Sequence, residues 1–314
     1  MSDGFIVIKE RNGKKYHYLT KNIRISVKKW KKIQIYIGSG KLTKKQIENI
    51  KLKNKEKLNK LEKAIINRFK IKKFKFLSKK QVEKIEEVKE NYQKRIKSRN
   101  KIALEKFKEY FVTEFTFNSN AIEGNTLKRR EVDSILFDNR IPENASLREV
   151  YETRNSKDAI DFMSNYKGDV NHKFILKLHA IIMKDIDKDN AGKYRNRPED
   201  DVYIRGSEHV PTKSVFVEKS MDVLLEWYRT KKYEFHPLEL SSIFHQKFVY
   251  IHPFTDGNGR CSRLLLNFIL LRNNLPHIIV KVSDRKKYFD AIHDGDLGDH
   301  KSLIRILYRY LIRV

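Results

Sequence analysis

Residues 252–263, His-Pro-Phe-Thr-Asp-Gly-Asn-Gly-Arg-Cys-Ser-Arg, bring an imidazole, a carboxylate and two guanidinium groups together within a short stretch. An imidazole such as that of His252 can accept a proton near neutral pH. Asp256 offers the hard oxygen ligands that Mg²⁺ prefers. Arg260 and Arg263 are three residues apart, so on a helix they share one face and can each fork onto phosphate oxygens. These residue types favour phosphoryl or nucleotidyl transfer, where positioning and charge neutralisation supply most of the catalysis.

A helix entrance must position these groups. The mostly apolar run 264–271 follows the motif and predicts a buried helix that begins at Asn258. Free N–H groups at a helix N-terminus, together with the helix dipole, form an anion site. Gly257 and Gly259 lack a Cβ, so the backbone can approach a phosphate closely. Each of these residues, taken singly, is more often part of a turn or a solvated surface, but their occurrence together favours a functional site.

The run resembles the His-x-Phe-x-(Asp/Glu)-Gly-Asn-Gly-Arg-x-x-Arg signature of Fic-domain proteins at every fixed position. The resemblance implies an enzyme that uses ATP and Mg²⁺ to transfer AMP to a Ser, Thr or Tyr hydroxyl of another protein. It implies that His252 deprotonates the attacking hydroxyl and that Asp256 holds the metal. Arg260 would contact the β-phosphate region and Arg263 the γ-phosphate, while the amides of residues 257–259 bind the phosphates. The second glycine and the arginine after it argue against the related Doc kinases, which replace Gly-Asn-Gly with Ala-Asn-Lys.

A second motif, Ser-Asn-Ala-Ile-Glu-Gly-Asn, occupies residues 119–125. By itself it predicts a helix end with Gly124 as the capping residue, and a solvated last turn is the ordinary interpretation. Ser119 and Glu123 are four apart and share a helix face. The motif is similar to the Ser/Thr-x-x-x-Glu-Gly/Asn inhibitory motif of many Fic domains. That likeness implies that Glu123 pairs with Arg263 and displaces the γ-phosphate; in some relatives the same glutamate aligns a water that removes AMP, so a two-way enzyme stays open.

Residues 192–212 contain a short β-prone segment and a Gly-Ser turn, which predict a surface hairpin. The Fic likeness implies that this hairpin is a flap that covers the nucleotide and docks the target segment along its edge at 204–208. The residues assigned to the flap are Ile204, Arg205, Gly206 and Ser207. The segment 284–289 is similar to the part that closes the adenine and ribose side, which implies a contact from Tyr288; a core aromatic is the alternative. Relatives often have Asn near position 296, where this chain has Asp296.

Composition sets further bounds. The chain has 314 residues and a net charge of +28, and residues 1–100 hold 32 Lys and Arg against 9 Asp and Glu. Such a field attracts nucleic acid or acidic partners, although a solvated lysine-rich surface is an equal alternative. We find no continuous apolar stretch of ~20 residues and no signal region at the N-terminus. The single cysteine, Cys261, cannot form an internal disulfide, so we expect a cytoplasmic protein.

The pattern predicts a mainly α fold: a Fic-type helical bundle with a β-hairpin flap, preceded by a small basic N-terminal β module and long helices. We divide the chain into a β-rich module (1–40), a basic helical linker (41–109), an inhibitory helix region (110–145) and the Fic core (146–314). The β module, with a hairpin turn at Asn12-Gly13, resembles basic modules in front of transposase-like and some Fic proteins. Capping boxes are predicted at 43–46, 78–81 and 146–149. Core helices are predicted at 147–163, 172–186, 214–230, 237–251, 258–272, 284–292 and 301–313.

Two functions from different classes follow. The first is a protein adenylyltransferase restrained by Glu123, with ATP and a hydroxyl-bearing protein as partners. The second is a nucleic-acid-binding regulator in which residues 1–100 make the contacts and the Fic core senses nucleotide. The intact His252, Asp256 and Arg263 favour the first, because a sensor needs no base. Long helices of this kind are typical of a core or of self-association, so a homodimer is also an open expectation.

Overall fold

The structure, a computed structural model, describes residues 4–24, 30–40, 42–69, 74–204 and 209–314. These form two compact units, which divide the chain between residues 73 and 74. This boundary lies inside the predicted 41–109 linker, and the four-segment division stays a prediction. Within the described ranges, no helix is long and apolar enough to cross a membrane.

The first unit is a three-stranded antiparallel sheet in the order β1–β2–β3, followed by one helix. Its elements are β1 (Phe5–Arg11), β2 (Lys14–Arg24), β3 (Trp30–Ser39) and α1 (Lys44–Phe69). Alternation puts Leu19, Ile33 and Ile35 on one face, where Leu58 of α1 packs against them. The predicted turn at residues 12–13 is confirmed, with φ of 50° and 70°. Alternation of apolar and polar residues over 23–37 predicts a single third strand, but Ile23 belongs to β2, and residues 25–29 lie outside the described ranges.

The second unit is helical. Its helices are α2 (Lys79–Ser98), α3 (Lys101–Ile122), α4 (Arg129–Asp133), α5 (Leu147–Asn165), α6 (His172–Ile182), α7 (Val217–Lys231), α8 (Pro237–Ile251), α9 (Asn258–Arg272), α10 (Arg285–Asp296) and α11 (Lys301–Leu311). The sequence predicted the bounds of α8 and α9, because Pro237 is the first residue of α8 and Gly257 directly precedes α9. The prediction that α6 continues to residue 186 was wrong. The buried amide of Asn155 donates to the carbonyls of Ile182 and Lys184, which ends the helix there.

The helix that carries the motif of residues 119–125 is separate from the helix before it. The apolar spacing after residue 78 predicts a long helix that could run on towards this motif, but α2 ends at Ser98 and Asn100 caps α3 by accepting from the Ala103 N–H. The capping boxes predicted from Ser78 and Ser146 are confirmed. A cap side chain accepts one of the free N–H groups at a helix start, so each box fixes where its helix begins.

Helices α8 and α9 form the centre of this unit. Apolar side chains of α9 enter both large core clusters, with Leu265 and Phe268 in one and Leu266 and Leu270 in the other. A helix buried on every side has little freedom to shift, because protein interiors are close-packed. The loop between α8 and α9 is therefore held at both ends by rigid elements.

Candidate active site

The loop between α8 and α9 has a fixed backbone. His252 ends α8 in the left-handed conformation, with φ of 53° and ψ of 60°. The side chain of Asn258 donates to the Phe254 carbonyl at 2.7 Å and accepts from the Phe254 N–H at 2.9 Å. Gly257 has a φ of 75°, and a Cβ there would lie 3.0 Å from the sulfur of Met183. Because the Asn258 amide is used inside the loop, this residue can bind an anion only through its backbone.

His179 of α6 supports the loop between α8 and α9. Its ring stacks on Phe254 with centroids 3.6 Å apart. Its Nδ1 accepts from the Gly192 N–H at 2.9 Å, so Nε2 carries the proton and donates to the Asp256 carbonyl at 3.0 Å. Burial lowers the pKa of His179 to about 4. A lone histidine on an apolar helix gives no signal of this role in the sequence.

His252 is positioned through its backbone by Arg195. The buried guanidinium of Arg195 donates to the His252 carbonyl from Nε at 3.0 Å and from Nη2 at 2.8 Å, and also to the Thr212 carbonyl at 2.8 Å. Burial lowers the pKa of His252 to about 4, the charge of Arg195 acts in the same direction, and Glu123 opposes them. The imidazole is therefore neutral at pH 7 and can accept a proton.

Arg263 is hydrogen-bonded to the C-terminal end of α3, which carries the motif of residues 119–125. Its Nη2 donates to Glu123 Oε1 at 2.7 Å and to the Ser119 carbonyl at 2.8 Å, and its Nε donates to Ser119 Oγ at 3.0 Å. A Cβ on Gly259 would lie 2.0 Å from Glu123 Oε1. The Glu123 carboxylate thus lies against the first turn of α9, in the space that an anion bound at this helix entrance needs.

Asp256 lies at the open side of the same entrance. Its Oδ1 accepts from Arg260 Nη2 at 3.1 Å and from the Gly257 N–H, and its Oδ2 accepts from Arg148 Nη2. Burial would raise the pKa of this carboxyl, but the charges of Arg260 and Arg148 and the Gly257 N–H outweigh it and hold the pKa below its usual value. The carboxylate is ionised and fits a hard cation such as Mg²⁺.

The described residues contain no cluster of three or more His, Cys, Asp or Glu that could hold a metal by themselves. A Mg²⁺ ion at Asp256 would therefore take its other ligands from phosphates and water, as is usual for this ion. Arg148 and Glu152, which pair with Asp256 and Arg260, give no signal in the sequence. Both lie on α5, in a segment without a chemical motif, and only the packing of α5 against α9 reveals them.

Tyr288 lies in the core. It is 1% exposed, and its hydroxyl lies 2.7 Å from His245 Nε2 and beside Arg263. This position agrees with the core alternative, and the base-side contact of Tyr288 stays a prediction. Asp296 accepts from Gln246 Nε2 at 2.6 Å.

The predicted flap is described in part. Between residues 192 and 212 the described backbone has a 3₁₀ turn, Pro198–Asp200, and irregular segments without strand pairing. Ile204 is half-buried in one of them, whereas Arg205, Gly206 and Ser207 lie outside the described residues. The hairpin and its contacts with nucleotide stay predictions.

Comparison with known proteins agrees with this geometry. Residues 169–270 match the Fic/DOC family. The chain is 32% identical over 198 residues to "Protein adenylyltransferase Fic" of Nematostella vectensis. This match covers 62% of this chain and 45% of that protein. It is 30% identical over 207 residues to "Protein adenylyltransferase fic-1" of Caenorhabditis elegans, which covers 64% of this chain and 39% of that protein. The chain thus spans less than half the length of these relatives.

Solved structures give the same result. A Fic domain containing signaling protein from Bacteroides thetaiotaomicron VPI-5482 matches with a TM-score of 0.66 and 26% identity, over 73% of this chain and 93% of that chain. A Fic family protein from Desulfovibrio desulfuricans G20 matches with a TM-score of 0.61 and 28% identity, over 74% of this chain and 71% of that chain. With its helical core, its signature loop and these similarities, residues 169–270 of the chain form a Fic domain.

Proposed function

We propose that this protein is an adenylyltransferase that moves AMP from ATP to a hydroxyl side chain of a target protein. The observation that carries the proposal is the neutral, half-buried imidazole of His252 beside the arginine-lined anion site at the start of α9. The relatives named protein adenylyltransferases support it. A Ser, Thr or Tyr hydroxyl loses its proton as it attacks, and a neutral imidazole can accept that proton.

In the proposed reaction, the residues present account for the proton, the bond that forms and the bond that breaks. The target hydroxyl gives its proton to His252, its oxygen forms a bond with the α-phosphorus, and the bond from that phosphorus to the bridging oxygen breaks, so pyrophosphate leaves. The N–H groups of residues 257–259 and the two arginines neutralise the phosphate charge at the helix entrance. Asp256 would hold Mg²⁺, which supplies further charge neutralisation at the phosphates when bound.

The same site is proposed to be restrained by Glu123. Its carboxylate uses Arg263 and the space above Gly259, so a γ-phosphate and Glu123 cannot bind there together. This is competition of an internal anion with an anionic ligand for one guanidinium. Removal of AMP by a water aligned on Glu123 is a further possibility for the same carboxylate, and incubation of the labelled target with enzyme and Mg²⁺ alone would reveal it.

Labelling tests the proposal directly. Full-length wild type, Glu123→Gly, His252→Ala and the double variant are incubated with lysate, Mg²⁺ and ATP labelled on the α-phosphate. We expect protein labelling to increase with Glu123→Gly and to fall by roughly 10²–10⁴-fold when His252 is also replaced. A parallel reaction with γ-labelled ATP should leave proteins unlabelled, which separates AMP transfer from kinase activity. Label that persists without His252 would refute the mechanism.

The basic first unit gives a coarser proposal about partners. Residues 1–73 hold 23 Lys and Arg against 5 Asp and Glu, so their field favours nucleic acid or an acidic protein. The relatives support AMP transfer and do not support the alternative of a nucleic-acid-binding regulator. An electrophoretic shift with the full chain at low salt tests nucleic acid, and light scattering tests the expected homodimer. A cytoplasmic location is proposed from the single, buried Cys261.

A further inference from the structure

Four charged side chains form a closed ring at the open side of the site. Arg148 Nε donates to Glu152 Oε1 at 3.1 Å, and Arg260 Nη1 lies 3.2 Å from the same oxygen. Arg260 Nη2 donates to Asp256 Oδ1 at 3.1 Å, and Arg148 Nη2 donates to Asp256 Oδ2. Charges of opposite sign thus alternate around the ring.

The two arginines of this ring differ in how firmly they are held. The side chain of Arg260 is 4% exposed, whereas that of Arg148 is 58% exposed. An exposed ion pair contributes little stability, because both charges are well solvated when they separate. Arg148 can therefore leave the ring into solvent at small cost, and Arg260 cannot.

The two oxygens of Asp256 are also used differently. Oδ1 accepts from Arg260 and from the Gly257 N–H, both of which belong to the loop and the first turn of α9. Oδ2 accepts from Arg148. The oxygen that the loop between α8 and α9 leaves open to a cation is the one covered by the exposed guanidinium of Arg148 on α5.

We propose that Arg148 competes with Mg²⁺ for Oδ2 of Asp256, so that metal binding requires the Arg148 side chain to move into solvent. This inference rests on the proposed function, and it concerns a positioning residue that the Fic signature does not contain. Arg148 restrains the metal side of the site, as Glu123 restrains the phosphate side.

The first two turns of α5 are also hydrogen-bonded to the segment that follows Glu123. Asn125 Nδ2 donates to Glu152 Oε2 at 2.9 Å, and the Thr126 N–H donates to Glu149 Oε1 at 2.7 Å. Displacement of the segment after Glu123 would therefore disturb the carboxylate that also holds Arg148. The two restraints are joined through Glu152.

Metal binding measures the competition without relying on AMP transfer. Mn²⁺ is titrated by electron paramagnetic resonance in the presence of α,β-methylene-ATP, which cannot transfer AMP, in the Glu123→Gly background. Arg148→Ala should tighten Mn²⁺ binding about two- to fivefold, the size expected for release of one exposed ion pair. Asp256→Asn should remove this binding, which places the ion at Asp256.

Arg154→Ala is the matched control. Arg154 is exposed on the same helix and is six residues along, so it lies on a different face, and its loss removes the same charge. Mn²⁺ affinity should change by less than the measurement error in this variant, because distant exposed charges are screened by salt. An equal change in both variants would overturn the inference in favour of a general field effect.

The remaining outcomes of the metal-binding experiment would overturn either this inference or the proposed function. Unchanged or weaker Mn²⁺ binding in Arg148→Ala, with an unaltered melting temperature, overturns the competition. Weaker binding of the nucleotide without metal would assign Arg148 to the phosphates and overturn it as well. If neither Mn²⁺ nor nucleotide binds to any variant, the proposed function itself fails, whereas AMP transfer with no effect of Arg148→Ala on Mn²⁺ binding refutes this inference alone.

Discussion

Arg260 and Arg263 stand one helical turn apart at the start of α9 and are equally buried, but their partners come from different places. Arg260 pairs with Asp256 of the signature loop and with Glu152 of α5, and both carboxylates also hold Arg148. Arg263 is hydrogen-bonded to Ser119 and Glu123 at the end of α3. The comparison shows that Arg260 belongs to the ring of charges around Asp256, while Arg263 is held by α3, so the restraint proposed for Glu123 acts on Arg263.

The largest expected effect is on stability, and it tests this division directly. Arg260→Ala should lower the free energy of unfolding by about 3–5 kcal/mol, because it leaves the buried carboxylate of Glu152 without its buried partner. Arg263→Ala should cost less, since the Glu123 side chain is 35% exposed and can turn to water. Urea unfolding followed by circular dichroism measures both, and a greater loss from Arg263→Ala would contradict the comparison.

The next effect is on activity. Glu123→Gly should raise the rate of AMP transfer by roughly 5- to 150-fold, the usual range for a coupling between two sites. Glu123→Gln is the matched variant, because it keeps a hydrogen-bond acceptor and removes the charge, so its rate should fall between wild type and glycine. Initial rates with α-labelled ATP give the order, and a glutamine variant as active as the glycine variant would show that charge carries the whole restraint.

Acid should weaken both ends of the site together. His179 donates to the Asp256 carbonyl, and His245 lies against the hydroxyl of Tyr288, which is next to Arg263. Burial lowers the pKa of each histidine to about 4. The unfolded chain takes up these protons near pH 6.5, so their contribution is complete above that pH and is lost as the pH falls towards 4. Between pH 7 and pH 5.5 the loss should be about 1 kcal/mol for each histidine.

Urea midpoints across this pH range measure the loss. His245→Gln should flatten the pH profile by one histidine's share, whereas the exposed His293 replaced by Gln should leave it unchanged. A profile that is flat in the wild type would show that these imidazoles are not neutral and buried in solution.

The smallest expected effect separates the two contacts of Arg263. Ser119→Ala removes the hydrogen bond from Arg263 Nε but leaves Glu123 in place. A single hydrogen bond contributes about 1 kcal/mol, so AMP transfer should rise about two- to fivefold, less than with Glu123→Gly. An increase as large as that of Glu123→Gly would assign the restraint to the serine instead.

The sequence was most informative where the information is local. The bounds of α8 and α9 followed from Pro237, Gly257 and an unbroken apolar run, and the signature loop gave the site's residue types. The pairing of Glu123 with Arg263 came from the family resemblance, because no local signal joins two residues so far apart in the chain.

The supporting residues could not be found in this way. His179, Arg195 and Arg148 act by reaching across from other helices and segments to the loop, and each has an ordinary surrounding sequence. Their roles depend on packing that brings distant segments together. The end of α6 was missed for the same reason, because the side chain of Asn155 from another helix terminates it.

Gly259 has a consequence for how such an enzyme can be altered by mutation. Any side chain there would collide with Glu123, but it would fill the same space that the phosphates need. A substitution at Gly259 would therefore displace Glu123 and exclude the proposed nucleotide phosphates together. A random-mutagenesis screen for hyperactive clones should recover substitutions at Glu123 and its neighbours on α3, and none at Gly259 or Arg263. The proposed restraint can therefore be lost only through changes on α3.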